Sequence, residues 1–315
     1  MQVTLDPVNL DKFKAALGIL QVADEDRLLC AVSGGPDSLA LLLLAHAALP
    51  DKVVAATVDH KLRTEAADEA RYVQGICEAL GIPHVILTPR APITGNIQSS
   101  ARVARYALLE IAADTENCKY IATAHHADDQ LETVLMRLAR GSGIDGLSAI
   151  RARNGRIVRP LLDFTKSELE NICANAGLKP VDDPSNANED YDRVAMRNWL
   201  ASTGHPFRSD RAVRTASALA EVADALTWIT EKLAEQRIKC EADVIFCDAG
   251  DIPNVLKRQL LLRCLAELDQ ELAPRGDAID RLLGALAEGR TSMIGNIKCR
   301  GGKQWQFSHA PARRT

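Results

Sequence analysis

The residues best able to do chemistry stand together at Ser33-Gly34-Gly35-Pro36-Asp37-Ser38, between an apolar run and a helical pattern. Gly34 and Gly35 tolerate positive φ and the close approach of a ligand, and Ser33 and Ser38 offer hydroxyls. A helix starting here would aim its free N–H groups at the same point, making an anion cradle. Asp37 beside such a cradle repels phosphate unless a cation intervenes, which suggests Mg²⁺ shared between Asp37 and phosphate oxygens. The competing structural reading has Asp37 and Ser38 capping the helix while the glycines serve a tight turn.

A second constellation is His125-His126-Ala127-Asp128-Asp129-Gln130-Leu131-Glu132-Thr133. At about 100° per residue, Asp128, Asp129 and Glu132 share one helix face, with His125 at or before its start. Acids in a first turn are often only dipole partners. Several of them beside a glycine loop suit a cation, an amine substrate or Mg²⁺. After Arg140, Gly141-Ser-Gly143-Ile-Asp-Gly146 fits the dinucleotide pattern GxGxxG. It follows a helix where that pattern needs a strand, so a dinucleotide site is rejected. As a turn it either just ends the helix or presents N–H groups to an anion.

These segments need positioning elements, and the hydrophobic periodicity supplies them. Short apolar runs at 27–32, 53–58, 84–87 and 120–123 read as strands, and 38–49, 64–80 and 96–113 carry helical spacing. Apolar strands joined by helical crossovers predict an α/β fold with a doubly wound, mostly parallel sheet, whose ligands bind beyond the carboxyl ends of the strands. Residues 149–159 read as a hairpin turning at Asn154-Gly155, a pair suited to a type I′ loop. Helices are expected at 164–176, 193–201, 212–239, 253–272 and 277–287, and a small β element at 291–307. A polar loop covers 181–190, and Gly204-His205-Pro206 marks a boundary between residues 1–205 and a smaller, mainly helical domain, 206–315.

Composition bounds the rest. The 315 residues, 47% hydrophobic and 25% charged, exclude disordered, collagenous and disulfide-stapled classes. The longest apolar run, Leu39 to Ala48, is about half of what a membrane span needs, and Asp6 and Asp11 stand where a signal peptide requires a basic flank. No membrane association and a cytosolic location are therefore expected. Eight cysteines without a Cys-x-x-Cys pair argue against zinc and redox sites. With a net charge of −4, any nucleic acid must be held by a local patch, for which Lys298, Arg300, Lys303, Arg313 and Arg314, and Arg151, Arg153, Arg156 and Arg159, are the candidates. A solvated edge is the alternative for either cluster.

Ser33, Gly34, Gly35, Asp37 and Ser38 match the SGGxDS signature of the PP-loop ATP pyrophosphatases, and the lysine of the GxxxxGKS phosphate loop is missing. The resemblance implies ATP cleavage between the α and β phosphates. Further matches follow in order. They are Asp59-His60-Lys61-Leu62-Arg63, Ala101-Arg102-Val-Ala-Arg105-Tyr106, HHADDQLET at 125–133 with RGSGIDGL at 140–147, and Arg159-Pro160-Leu161-Leu162. Asp183-Pro184-Ser185-Asn186, followed by Arg193 and Arg197, extends the match to about residue 200.

Together these segments resemble the tRNA(Ile)-lysidine synthases, in a short form. That family's reaction is a two-step ligation. ATP adenylates the C2 oxygen of the wobble cytidine of a CAU-anticodon tRNA(Ile), and free L-lysine then displaces AMP. The resemblance assigns ATP to Ser33, Gly34, Gly35, Pro36, Asp37, Ser38, His60, Arg140, Gly141 and Gly143, and Mg²⁺ to Asp37. Within that reaction catalysis falls to Asp37, His125, Asp129 and Glu132, and tRNA to Arg102, Arg105, Arg193 and Arg197. Asp129 and Glu132 suit the lysine because an ammonium needs acceptors, and the basic cluster adds Lys298, Arg300 and Lys303 for tRNA. Oligomeric state is left open, a homodimer included. Two competing readings are a PP-loop tRNA thiolase, which commonly carries paired cysteines, and a regulatory module that holds ATP without chemistry.

Overall fold

The computed structural model describes residues 3–59, 66–89, 97–181, 191–202, 204–274 and 276–310. His60, Lys61, Leu62, Arg63, Asp183, Pro184, Ser185, Asn186, Arg313 and Arg314 lie outside the described residues. Two compact units divide at 220/221, within a long helix and beyond the boundary expected at 206.

The first unit opens with α1 (Pro7–Ile19), which the periodicity did not single out. Asp6 caps it by accepting from the Val8 N–H at 2.9 Å, and Pro7 takes the first helical position, where its missing N–H costs nothing. There follow β1 (Leu28–Ala31), α2 (Pro36–Ala48), β2 (Val53–Val58), α3 (Ala66–Leu80), β3 (His84–Leu87), α4 (Ile97–Thr115) and β4 (Tyr120–Ala122). Next come α5 (Ala127–Ala139), α6 (Ile144–Leu147), β5 (Arg153–Asn154), β6 (Ile157–Val158), α7 (Lys166–Asn175) and α8 (Tyr191–Ser202). α9 (Ser209–Arg237) carries the unit boundary.

The sheet runs β3-β2-β1-β4-β6-β5, parallel except for the last strand. Successive residues of each strand feed opposite layers, as the period of two demands. Leu28, Cys30, Val53, Ala55, Tyr120 and Ala122 pack with α1, α2, α3 and α7. Leu29, Val54, Ala56 and Ile121 pack with Leu109, Ala112 and Ala113 of α4. The fully apolar face of α2, Leu39 to Ala45, is buried because it lies between the sheet and two further helices. The chain winds outward from β1 to β3, then crosses by α4 to place β4 on the other side of β1. That reversal of strand order opens a crevice at the carboxyl ends of β1 and β4, where both chemical segments begin.

The hairpin at 149–159 differs in register from the sequence expectation. Asn154 pairs with Ile157, so the loop is Gly155-Arg156, and only Gly155 has positive φ (58°). This is the II′ pattern rather than I′. The arginines around it are structural ties. Arg156 pairs with Asp114 and Glu110, Arg153 donates to the Leu20 carbonyl, and Arg151 to that of Ala220.

In the second unit, β7 (Ile238–Glu241) and β8 (Val244–Cys247) precede α10 (Asn254–Leu268) and α11 (Gly276–Ala287). β9 (Thr291–Ile294), β10 (Ile297–Arg300) and β11 (Trp305–His309) complete an antiparallel sheet ordered β7-β8-β11-β10-β9. The β element is thus larger than the tail expected at 291–307, because Ile238 ends the long helix and starts a hairpin. Its core joins Ile245, Cys247, Leu261, Leu286, Cys299 and Phe307. All eight cysteines are free thiols, and among them only Cys240 is exposed. Among the described residues no helix is long and apolar enough to cross a membrane.

Candidate active site

The glycine loop leaves β1 at Val32 and enters α2 at Pro36. Gly34 sits at φ +90°, a conformation L side chains rarely adopt, and its carbonyl accepts from the Val181 N–H at 3.0 Å. Ser38 holds the loop closed: its Oγ accepts from the Ser33 N–H and donates to the Gly35 carbonyl, both at 3.0 Å. Ser38 is buried, whereas Ser33 is exposed. The Ser33 hydroxyl is open to solvent 3.3 Å from that of Ser38, while the Ser38 hydroxyl shapes the loop. Cys173 of α7 donates to the Pro36 carbonyl at 3.2 Å, and burial pushes its thiol up to about 12. Gly35, the N-cap of α2, offers no side-chain acceptor, so the first N–H groups of that helix remain for an anion.

Asp37 projects from the first turn of α2. Its Oδ1 is buried without a hydrogen-bond partner among the described residues, and its Oδ2 lies 3.6 Å from His126 Nε2. His126 is the N-cap of α5. Its Nδ1 accepts from the Asp128 N–H at 3.2 Å, and the Asp129 carboxylate accepts reciprocally from the His126 N–H at 3.2 Å. With Nδ1 serving as acceptor, neutral His126 carries its proton on Nε2, which also stands 3.5 Å from Asp129 Oδ2. Burial disfavours charge on this ring, yet Asp37, Asp129 and Asp128 outweigh it and hold its pKa above the ordinary value. His126→Ala removes the cap acceptor and should cost about 0.5–2 kcal/mol. It would be read as a lower urea midpoint at unchanged m, with His126→Asn recovering most of the loss.

His125, the catalytic candidate from the sequence, turns the other way. Its Nδ1 shares a proton with Thr123 Oγ1 at 3.0 Å, and burial, with Arg159, Arg102 and Arg105 nearby, pushes its pKa down to about 3. Arg102 and Arg105 both lie over the Tyr106 ring, at 5.2 and 5.4 Å, and Arg159 is buried beside them. Neutral His125 thus belongs to a cationic cluster.

The three carboxylates of α5 also part company. Asp128 accepts from the Lys166 N–H at 2.7 Å and the Ser209 hydroxyl at 2.6 Å, tying α5 to α7 and α9. Asp129 and Glu132 face α8. Arg197 donates to Glu132 Oε1 at 2.7 Å and to Asp129 Oδ1 at 3.4 Å, and Arg193 Nε lies 3.3 Å from Glu132 Oε2. Burial raises the Glu132 pKa in spite of these arginines. Burial acts the same way on Asp129, but His126, the cap hydrogen bond and Arg193 prevail and hold it below the carboxylate range. His126 and the α8 arginines are the site residues the sequence reading missed or cast differently. The SxxE-like spacing of a capping box, here His126 to Asp129, was the available signal.

Arg140, Gly141 and Gly143 are not gathered with the glycine loop. They follow the C-terminal end of α5, where Arg140 stands roughly 21 Å along its axis from the His126 cap at 1.5 Å per residue. There Arg137, Arg140 and Arg193 line a cleft of about 180 Å³ with Thr133 and Met136. In the second unit, Lys298 and Arg300 alternate with buried Ile297 and Cys299 along β10, so both stand on the exposed face, and Lys303 is exposed beyond it.

The family described as PP-loop domain matches residues 9–203. A tRNA(Ile)-lysidine synthase of Zymomonas mobilis is 42% identical over 312 residues, spanning 96% of this chain and 94% of the relative. One of Novosphingobium aromaticivorans is 41% identical over 92% and 90% of the two chains. Among solved structures, a U34-tRNA thiolase from Methanococcus maripaludis with its [4Fe-4S] cluster superposes with a TM-score of 0.58 at 20% identity, covering 68% of this chain and 79% of the other, which shows the shared fold. The glycine loop on a switch-point crevice, the capped acidic helix beside it and these relatives agree, and the chain belongs to the tRNA(Ile)-lysidine synthase family of PP-loop proteins.

Proposed function

We propose that the chain joins the ε-amine of free L-lysine to C2 of the wobble cytidine of a CAU-anticodon tRNA(Ile), in the cytoplasm and at the expense of ATP. The observation that supports this reading is the meeting of Asp37 with the α5 cap, by which the glycine loop and the carboxylates of α5 share one crevice. In the first step the cytidine O2 attacks the α phosphorus and pyrophosphate leaves. In the second the lysine nitrogen attacks C2, AMP leaves with the O2 atom, and the amine gives up a proton.

The N–H groups opening α2 and the exposed Ser33 hydroxyl would hold the leaving pyrophosphate. The orphaned Oδ1 of Asp37 fits a hard cation. Among the described residues no three His, Cys, Asp or Glu side chains are arranged to hold a metal ion, so Asp37 would hold Mg²⁺ with the help of the substrate and water, and the ion would screen charge on the departing group. Asp129, held charged, suits the role of ammonium anchor, and Glu132, with its raised pKa, suits that of base. Lysine would enter by displacing the half-exposed Arg197 from both acids. His126 keeps Asp37 and Asp129 in register, and His125 would lend its neutral ring to the Arg102, Arg105 and Arg159 cluster, a seat for tRNA phosphate. The cleft at Arg140 shares Arg193 with the acid pair, and its arginines would suit the RNA backbone.

The thiolase reading lacks support at the site itself, since Cys173, the cysteine bonded to the loop, is a buried thiol held protonated. The deciding experiment measures AMP and pyrophosphate release with Mg-ATP, with and without lysine and the tRNA. Release that requires both, with lysine attached to the RNA by mass, is expected. Turnover indifferent to lysine would overturn the reading. Reversing Lys298, Arg300 and Lys303 together should weaken tRNA binding and flatten its dependence on salt. An unaltered slope would make this edge merely solvated.

A further inference from the structure

Between the acidic face and the start of α9, three aromatic rings lie together on the surface of the first unit. Trp199, near the end of α8, is 43% exposed and Phe207 is 42% exposed. Their centroids are 6.2 Å apart, and His205 stands 6.0 Å from each, its ring only 21° from the plane of Trp199 and 30° from that of Phe207. The His205 Nδ1 is buried with no hydrogen-bond partner among the described residues, so this ring is a packed wall of the group. Large aromatics in mutual contact that keep about two fifths of their surface exposed hold water there that a planar apolar partner would displace favourably.

The surrounding charge says which partner. Residues 193–214 hold five arginines against one acid, in a chain whose net charge is −4. Arg208, Arg211 and Arg214 are exposed, immediately after the aromatic group and on the first turns of α9. A π surface bordered by exposed guanidinium groups is what binds unpaired nucleotides, with bases on the rings and phosphates on the cations. The segment is also anchored to the site. Ser209 bonds Asp128, and α8 carries both Trp199 and the Arg197 that pairs with Glu132.

We propose that Trp199, His205 and Phe207 form a stacking platform for unpaired bases of the RNA substrate, with Arg208, Arg211 and Arg214 tracking its backbone. This rests on the reading of the chain as an RNA-modifying ligase and specifies where that ligase grips a loop whose target base must leave the stack.

The test uses the full chain without ATP and a fluorescent RNA hairpin carrying the CAU loop, against a fully paired duplex of equal length. Trp199→Ala and Phe207→Ala should each weaken hairpin binding on the order of tenfold, leave duplex binding unchanged and leave the salt slope intact. Trp199→Phe should retain most of the affinity, which separates loss of a ring from loss of packing. Arg208→Ala with Arg211→Ala and Arg214→Ala should instead flatten the salt slope for both RNAs.

Hairpin binding indifferent to the aromatic changes overturns the platform while leaving the ligase reading standing. Equal losses for Trp199→Phe and Trp199→Ala, with lowered melting temperatures, overturn it as mere packing. A wild-type dimer that Trp199→Ala dissociates in sedimentation assigns the patch to a second copy instead. Wild-type protein that binds the hairpin through these rings yet makes no lysine adduct refutes the ligase reading and keeps the platform. No RNA binding at all removes both.

Discussion

Asp37→Ala should lower pyrophosphate release from ATP on the order of a thousandfold, with a melting temperature within a few degrees of wild type. The two halves of that expectation have separate causes. Catalysis suffers because Asp37 puts a carboxylate in the first turn after the glycine loop, with Oδ1 unpartnered among the described residues and Oδ2 facing His126. Stability does not, because the cap position of α2 is Gly35 and Asp37 makes no cap hydrogen bond there. Its truncation forfeits a dipole interaction of about 0.3–1 kcal/mol and the Oδ2 contact with His126, and it removes a buried Oδ1 that has no partner among the described residues. Asp37→Asn keeps the shape and loses the charge, so it should be nearly as inactive. Wild-type release by either variant, with a native melting curve, would remove Asp37 from the mechanism.

Glu132→Gln should separate the two steps. Adenylation persists, adenylated RNA accumulates, and transfer to lysine falls by about 10²–10⁴, the range for a lost general base. The pH dependence carries a sign that can be checked. Burial raises the Glu132 pKa, so the acid form survives to higher pH than for an ordinary glutamate. The single-turnover transfer rate should therefore fall as pH drops through that raised value, above the usual carboxylate range, and level off at higher pH. Glu132→Gln should lack this limb. Asp129→Asn tests the other acid: with its pKa held low it acts as a fixed charge, so its loss should raise the lysine KM more than it lowers the transfer rate. A Glu132→Gln enzyme that keeps the acid limb would move the base elsewhere, and His126, whose pKa is also raised, would be next in line.

Much of the first unit was legible because its signals are contiguous. Val53–Val58 and His84–Leu87 stand at the bounds their apolar runs indicate, and the glycine loop falls between strand and helix as its residue types require. The second unit was less so. The hairpin of β7 and β8 turns at Ala242, which takes φ +49° with no glycine or proline to announce it, and Ile238-Lys-Cys-Glu continues a helical pattern as readily as it begins a strand. α1 was overlooked although Asp6-Pro7 is a helix-start signal, since its apolar positions are few.

Read alone, the sequence settles which residue types are present and how those within one short segment are spaced: a glycine loop at 33–38 and three acids, Asp128, Asp129 and Glu132, on one helical face, of which packing ties Asp128 to α7 and α9. Folding decides what they meet. Asp37 and His126 are far apart in the chain and come together only because the crossover through α4 places β4 beside β1, so that two strand ends share one crevice. The same packing separates neighbours. His125 and His126 are adjacent and both near Asp129, yet the first has Arg102, Arg105 and Arg159 around it and the second has Asp37 and Asp128. The pairing of Glu132 with Arg193 and Arg197, across more than sixty residues, is likewise set by how α8 lies on α5. No periodicity records such a contact, since periodicity reports which way a face points and not what another segment brings to it.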